Sequence, residues 1–331
     1  MLRFKLVYSD DYYLPIGQHV FPGQKYRLVY QQLLGKRIAE PCDFVDPEPA
    51  TDDDVLLVHT RDYVDKIHTG MLTAKEELTM EIPYSPDVVK AFWKNAGGSI
   101  TAARLALRDG IALNIGGGFH HAFPDHGEGF CMINDIAIAI RRLICDGRIS
   151  RALVVDCDVH QGNGTAAIFG QSQTPPQPLP SWSAPMFAPP KPVSVKESPA
   201  GDVFTISLHQ ENNYPAWKPP SSIDVNLPDR TPDAEYLAWL DNALTSGLRQ
   251  FEPDLVCYVA GADPYKDDQL GGLSMTIEGL KQRDEYVFRF FQQRDLPVMV
   301  TYAGGYAHDL EDTVTIHSNT VQAAKEIYNW H

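Results

Sequence analysis

The chain carries its reactive side chains at the ends of apolar runs. Asp156, Asp158 and His160 alternate with Cys157 and Val159 directly after Leu153-Val154-Val155. In an extended strand residues two apart share a face, so two carboxylates and an imidazole project together while Cys157 and Val159 point into packing. Burying such a set with nothing to neutralise it is costly. Two hard oxygen donors and one nitrogen donor suit a divalent metal that keeps an open coordination position. Asp263 follows another apolar run, 255–259, through Ala260-Gly261-Ala262, and Gly261 permits close backbone approach. Asp158, His160 and Asp263 are therefore the candidate metal ligands, and metal-dependent hydrolysis is the first reading. Taken singly, each aspartate would equally well cap a helix or close a turn.

Two further strand ends offer proton chemistry. Gly116-Gly117-Gly118 turns the chain after the run 111–115 and delivers His120 and His121. An activated water needs a general base and a departing amine needs an acid, and imidazoles titrate where they serve as both. Tyr306 follows Gly304-Gly305 after the run 298–302, where a phenol can donate to the oxyanion formed as water attacks a carbonyl. Its plain reading is a packed aromatic. His59, His68, His308 and His317 have no partner in the pattern and read as structural or exposed. Asp125 and Glu128 either meet a cationic substrate at a rim or form a solvated acidic loop.

Something must hold these positions together. Apolar, β-rich runs at 4–8, 111–115, 153–155, 203–208, 255–259 and 298–302 alternate with amphipathic stretches at 87–108, 135–145, 232–249 and 276–294. Cap signals at Ser85-Pro86, Asn134-Asp135 and Thr231-Pro232 precede three of those stretches. Strands alternating with helices predict an α/β fold: a single open parallel sheet flanked by helices on both faces. In such sheets ligands bind beyond the carboxyl ends of the strands, where five of these runs deliver glycines and polar groups. The proline-rich segment 171–200 suits neither helix nor central strand. It reads as a loop insertion whose Trp182, Met186 and Phe187 are expected to dock it near the mouth of the site.

The net charge of −15 argues against a nucleic-acid partner and would attract cationic ligands. The N-terminus does not read as a signal peptide, and there is no apolar run of the roughly 18 residues that a membrane span needs. The five cysteines, Cys42, Cys131, Cys145, Cys157 and Cys257, form no CxxC pair. They read as buried, reduced thiols of a cytoplasmic protein.

Four strings carry a resemblance: GGGFHHAFPDHGEGFC (116–131), VVDCDVHQGNGTA (154–166), AGADPYKDDQLGGL (260–273) and TYAGGYA (301–307). In this order they closely resemble the histone deacetylase family, and GGGFHH and HQGNG look most like its class IV branch and bacterial relatives. The stretches HVFPGQKYRLVYQQL and HTRDYVDKIH resemble the family's early helices. The resemblance covers roughly residues 5–320, with 171–200 as an insertion, and implies an arginase/deacetylase fold with 1–331 as one domain. It also implies zinc-dependent removal of acyl groups, acetyl or longer, from an acylated lysine in a peptide or protein. Asp158, His160 and Asp263 would bind zinc, with iron(II) as the other candidate, and Tyr306 would polarise the carbonyl. His121 would transfer the proton, beside His120 backed by Asp156. Gly129 and Phe130 would line an acyl-lysine tunnel opposite Tyr214, and Gly272 would shape a turn near it. A structural potassium ion would sit on carbonyls of Asp156, Asp158, His160 and Leu208 and on the Ser207 hydroxyl.

One residue departs from many members of that family, which carry aspartate where this chain has Asn163 behind His121. An amide orients an imidazole but does not stabilise its cation as a carboxylate does, so a lowered His121 pKa is expected. Three other activities stay open: hydrolysis of acetylpolyamines or other small acylated amines, a non-catalytic acyl-lysine binding module, and an arginase-like dinuclear centre. The last needs additional aspartate ligands that the sequence lacks.

Overall fold

β-Branched runs separated by helical stretches pair side by side and in one direction, because a crossover long enough to hold a helix returns the chain to the same edge. The computed structural model describes residues 1–170 and 202–329. Its strands are β1 (Lys5–Val7), β2 (Phe44–Val45), β3 (Ile111–Asn114), β4 (Arg151–Asp156), β5 (Asp202–Gln210), β6 (Ile223–Leu227), β7 (Leu255–Val259) and β8 (Val298–Thr301). They form one eight-stranded sheet in the order β2-β1-β3-β8-β7-β4-β5-β6. Every pairing is parallel. All residues of β3, β7 and β8 are buried. Since successive side chains point to opposite faces, helices must cover both.

The expected α/β sheet is thus the observed one, and β2 and β6 are the strands that sequence did not predict. Both lie at the sheet's edges. β2 has two residues, and β6 alternates apolar and polar along Ile223-Asp224-Val225-Asn226-Leu227 after Pro219-Pro220. Edge strands need no continuous apolar run, so neither carried a strong signal. The helices follow their local chemistry. Pro86–Asp109 starts at Ser85, whose hydroxyl accepts from the Val88 amide, and stops at Gly110 with φ 85°. Asp135–Cys145 is capped by Asn134 and Ile277–Gln292 by Thr276. The Thr231 cap is not made. The helix Asp233–Gln250 starts after Pro232 without a side-chain cap, and the Thr231 hydroxyl donates to the Pro228 carbonyl at 2.7 Å. Lys25–Gly35 and Arg61–Thr69 are the two early helices.

The expected insertion at 171–200 lies outside the described residues. Among the described residues no helix is long and apolar enough to cross a membrane. All five cysteines are free; Cys131, Cys157 and Cys257 are buried, whereas Cys42 and Cys145 are exposed, contrary to the buried reading of all five. Four adjacent strands, β3-β8-β7-β4, send their carboxyl ends to one edge of the sheet. That edge carries His120 and His121, Tyr306, Asp263, and Asp158 with His160.

Candidate metal and proton-transfer site

Asp158, His160 and Asp263 converge there, all buried, each offering one ligand atom within 4.8 Å of the others. The backbone fixes both carboxylates. Asp158 Oδ2 accepts from the Gly304 amide at 2.8 Å, and Asp263 Oδ1 accepts from the Val159 amide at 2.8 Å. His160 Nδ1 lies 3.1 Å from Asp158 Oδ1 and 3.3 Å from Asp263 Oδ2. Among the described residues buried Asp263 Oδ2 accepts no hydrogen bond, so it relies on the nearby His160 ring for compensation, and a metal cation would meet it better. Glycine keeps this space open. A Cβ on Gly304 would stand 1.9 Å from Asp263 Oδ2, and one on Gly261 would stand 2.6 Å from Asp158 Oδ2.

The charges in this group are matched to a cation. Burial opposes the charged form of His160, but the carboxylates of Asp158 and Asp263 raise it to about 10. Burial, with the like charge of Asp158, pushes Asp263 up to about 7. Asp158 is also penalised by burial, yet His120 and His160 hold it well below the usual carboxylate range. The group therefore shares a proton that a divalent metal would displace, since ligands bind metals in their deprotonated forms. One nitrogen and two carboxylates leave an open position, the donor set of a catalytic site.

The two histidines are held in opposite protonation states. His120 Nδ1 lies 2.7 Å from Asp156 Oδ2; burial works against its charge, but Asp156 and Asp158 lift it to about 9. His121 Nδ1 lies 2.7 Å from Asn163 Oδ1. Burial first, then the charges of His120 and His160, push it well below 6.5, while the Asn163 bond resists weakly. The lowered His121 expected from the Asn163 amide thus has burial as its main cause. With ring centroids 4.1 Å apart, the pair offers one charged and one neutral imidazole, the division of labour that acid–base chemistry uses.

Tyr306 stands edge-on to Phe130, with centroids 5.8 Å apart, and against Phe21 at 6.2 Å. Burial raises its phenol well above 10, so it stays a protonated donor. Gly129 and Phe130 hold φ of 50° and 65°. The Tyr214 ring meets His121 edge-on at 5.1 Å, and a Cβ on Gly129 would stand 3.0 Å from that ring. Phe130 thus packs against Tyr306, while Gly129 and Tyr214 pack against His121. Gly272 meets Gln210. Its amide donates to Gln210 Oε1 at 2.9 Å, and a Cβ there would meet Gln210. Ser207 is paired with Asp156 in the β4–β5 register, with Leu208 next along β5, and the Ser207 hydroxyl lies 2.9 Å from His209 Nδ1.

Sequence reasoning missed four supporting residues. Asp135 accepts from the Gly118 and Phe119 amides at 3.0 and 2.7 Å and so pins the triple-glycine turn; its helix-start position hid that role. Arg283 is fully buried, and its Nη1 donates to the carbonyls of Cys157 at 3.2 Å and Gly261 at 2.7 Å, tying together the two loops that carry the aspartates. Asp284 balances it and accepts from Tyr258 and Thr320. The signal was available, because Arg283 and Asp284 share the buried face of Ile277–Gln292 with Leu280, Val287, Phe288 and Phe291. Lys25 is fully buried behind Tyr306, 5.7 Å from its ring centroid. Glu128 is not part of a solvated acidic loop: its side chain is 18% exposed and bonded to Asn163 and Tyr214. His59 is structural as expected, accepting from the Asn134 amide at 2.9 Å.

Residues 19–321 match the family model of the histone deacetylase domain. The chain belongs to the histone deacetylase family. An uncharacterized protein of Picosynechococcus sp. is 38% identical over 328 residues, covering 99% of this chain and all of its own length (100%). Histone deacetylase 2 of Arabidopsis thaliana is 31% identical, across 92% of this chain and 75% of its own. The acetoin utilization protein AcuC of Staphylococcus aureus is 29% identical across 85% and 71%. The crystal structure of the HDA15 HD domain superposes with a TM-score of 0.71 at 20% identity over 99% of this chain and 91% of that one, a likeness of fold. As a histone deacetylase family member the chain is a hydrolase of the deacetylase type, and the family implies an acylated substrate.

In a member of this family a carboxylate at position 163 would stabilise the His121 imidazolium. Because the free base must be neutral, Asn163→Asp should move the acidic limb of the kcat/KM profile to higher pH, by about one unit for each 1.4 kcal/mol gained. The Asn163 amide donates to Glu128 Oε1 at 2.7 Å, so a second carboxylate there would face Glu128. The profile should therefore be measured with Glu128→Gln present, and an unmoved limb would count against His121 as base.

Proposed function

We propose that the protein is a zinc-dependent deacylase that removes acetyl or longer acyl groups from N-acyl-lysine side chains. The observation that carries this reading is the buried Asp158–His160–Asp263 group set beside two histidines, His120 held by Asp156 and raised, His121 held by Asn163 and lowered. Held by those three residues, zinc would supply polarisation of the carbonyl and activation of water. Iron(II) suits the same nitrogen and oxygen donors.

The chain's own groups perform the rest. His121, bonded through Nδ1 to Asn163, offers a neutral imidazole that takes the proton from the attacking water. His120, charged and anchored on Asp156, stabilises negative charge beside it, and proton return to the amine falls to this pair. The Tyr306 phenol donates to the carbonyl oxygen as it gains charge. Gly129, Phe130 and Tyr214 enclose the acyl-lysine stem and exclude water. We extend the reading to a potassium ion on the carbonyls of Asp156, Asp158, His160 and Leu208 and the Ser207 hydroxyl. We also extend it to a class IV-like, cytoplasmic enzyme, with 1–331 as one catalytic unit carrying the insertion at 171–200. Small acylated amines such as acetylpolyamines are the second reading, favoured by the net charge of −15.

Acetyl-, trifluoroacetyl- and myristoyl-lysine peptides, assayed beside an acetylpolyamine, test the proposal. Hydrolysis of at least one peptide, lost on chelation and restored by zinc, is expected. Turnover of the polyamine alone would favour the second reading. Bound zinc with no turnover of any substrate would leave a binding module.

A further inference from the structure

We infer that Glu128 is a positioning residue that sets the tautomer of His121 and anchors the Tyr214 wall through a single carboxylate. The inference rests on the reading of His121 as the general base. Glu128 Oε1 accepts from Asn163 Nδ2 at 2.7 Å and from the Tyr214 hydroxyl at 2.8 Å. Its other oxygen lies 3.5 Å from His126 Nε2, and His126 Nδ1 lies 2.8 Å from Asp125 Oδ1. The His126 ring stacks on Phe123 at 4.6 Å, and Phe123 stacks on Trp217 at 5.8 Å. Burial disfavours the charge on Glu128, yet the bonds from His126, Tyr214 and Asn163 hold it below the usual glutamate range. Burial likewise disfavours charge on His126, which Asp125 and Glu128 raise to about 9.

An ionised carboxylate only accepts, so the Asn163 amide must turn its NH2 toward Glu128 and its oxygen away. That oxygen accepts from the Gly164 amide at 3.0 Å and faces His121 Nδ1 at 2.7 Å. His121 Nδ1 must then carry the proton, which leaves the lone pair of the neutral ring on Nε2. The same Glu128 oxygen holds the phenol whose ring stands edge-on to His121 at 5.1 Å and to His160 at 6.1 Å. One carboxylate thereby couples the protonation pattern of the base to the placement of the wall beside it. It also accounts for the amide at position 163, where a carboxylate would repel Glu128.

The test uses the zinc-loaded full chain labelled with 15N-histidine, with Glu128→Ala, Glu128→Gln and Asn163→Ala. The wild-type His121 signals should report the Nδ1–H tautomer. Glu128→Ala should weaken that preference and lower kcat about 10- to 100-fold, the usual cost of losing an outer-shell partner. KM should rise a few-fold as Tyr214 loosens, with zinc stoichiometry unchanged. Glu128→Gln keeps an acceptor for both partners and should recover most of the rate. In the Asn163→Ala background Glu128→Ala should cost less than about 3-fold in kcat, because coupled residues are not additive. If Glu128→Ala does not fold, Glu128→Asp, one methylene too short to reach either partner, should give the same tautomer and rate changes. An unaltered tautomer in both variants, or an equal cost with and without Asn163, would overturn the inference. A wild-type protein that hydrolyses no acyl-lysine would remove the enzymatic reading, while the histidine spectra would still decide the role of Glu128.

Discussion

Asp263→Asn is expected to abolish zinc binding and turnover together while leaving the chain folded. Asp263 Oδ1 accepts from the Val159 amide at 2.8 Å, a bond that the asparagine oxygen retains. Among the described residues Oδ2 accepts no hydrogen bond and lies 3.3 Å from His160 Nδ1, so replacing it with an amide removes the charged donor offered to a cation together with the ion pair to His160. Losing that donor should weaken zinc on the order of a thousandfold, about 4 kcal/mol. Metal analysis should find the purified variant empty, and kcat/KM should fall by about the same factor. Stability without metal should respond with a defined sign. Burial and Asp158 raise Asp263 from 3.8 to about 7, so its protonated form is the one favoured by folding. That contribution is fully present below pH 4 and is lost as pH rises through 7. Asparagine does not titrate, so the chelated variant should gain Tm over the chelated wild type as pH rises across that window. Thermal melts at pH 4, 5.5 and 7 measure it. A Tm difference that shrinks with pH, or full zinc occupancy in the variant, would contradict this account of Asp263.

Tyr306→Phe is the second large effect. The ring is wedged against Phe130 and Phe21, and phenylalanine preserves that packing, so only the hydroxyl is lost. A donor aimed at developing negative charge contributes about 100- to 1,000-fold in kcat. We expect a loss of that size with zinc content and Tm near wild type and KM within about 3-fold, the pattern of an interaction made mainly in the transition state. Burial holds the phenol protonated well past pH 10. Tyr306 should therefore contribute no alkaline limb below that pH. A loss of less than tenfold would make Tyr306 a packed aromatic.

Much of the site was legible because each reactive residue closes an apolar run: Asp158 after β4, Asp263 after β7, Tyr306 after β8. The parallel sheet then brings those ends to one edge. What sequence could not show are partnerships between distant residues that obey no period. Glu128 meets Asn163 across 35 positions and Tyr214 across 86. Arg283 meets Cys157 across 126. On paper a lone glutamate in a polar loop looks solvated, and although the periodicity of Ile277–Gln292 puts Arg283 on its buried face, the fold alone reveals what each of them meets. The edge strands β2 and β6 escaped for a related reason, since half-buried alternation of a few residues resembles a loop. Gly272 carries a different lesson. It is read as shaping a turn near the site: a Cβ on Gly272 would meet Gln210, and one on its neighbour Gly271 would stand 2.0 Å from the Asp263 carbonyl oxygen, a closeness that no sequence pattern displays.

Whether this edge of the sheet is a metal-dependent deacylase site is decided by a zinc titration. The protein is stripped of metal, zinc is added stepwise, and hydrolysis of an acyl-lysine peptide is followed at each step. We expect no turnover in the stripped protein and a linear rise that breaks at about one zinc per chain, as a single three-ligand site requires. Turnover that survives chelation, a break at two metals, or a fully zinc-loaded chain that cleaves none of the acyl-lysines would contradict that assignment.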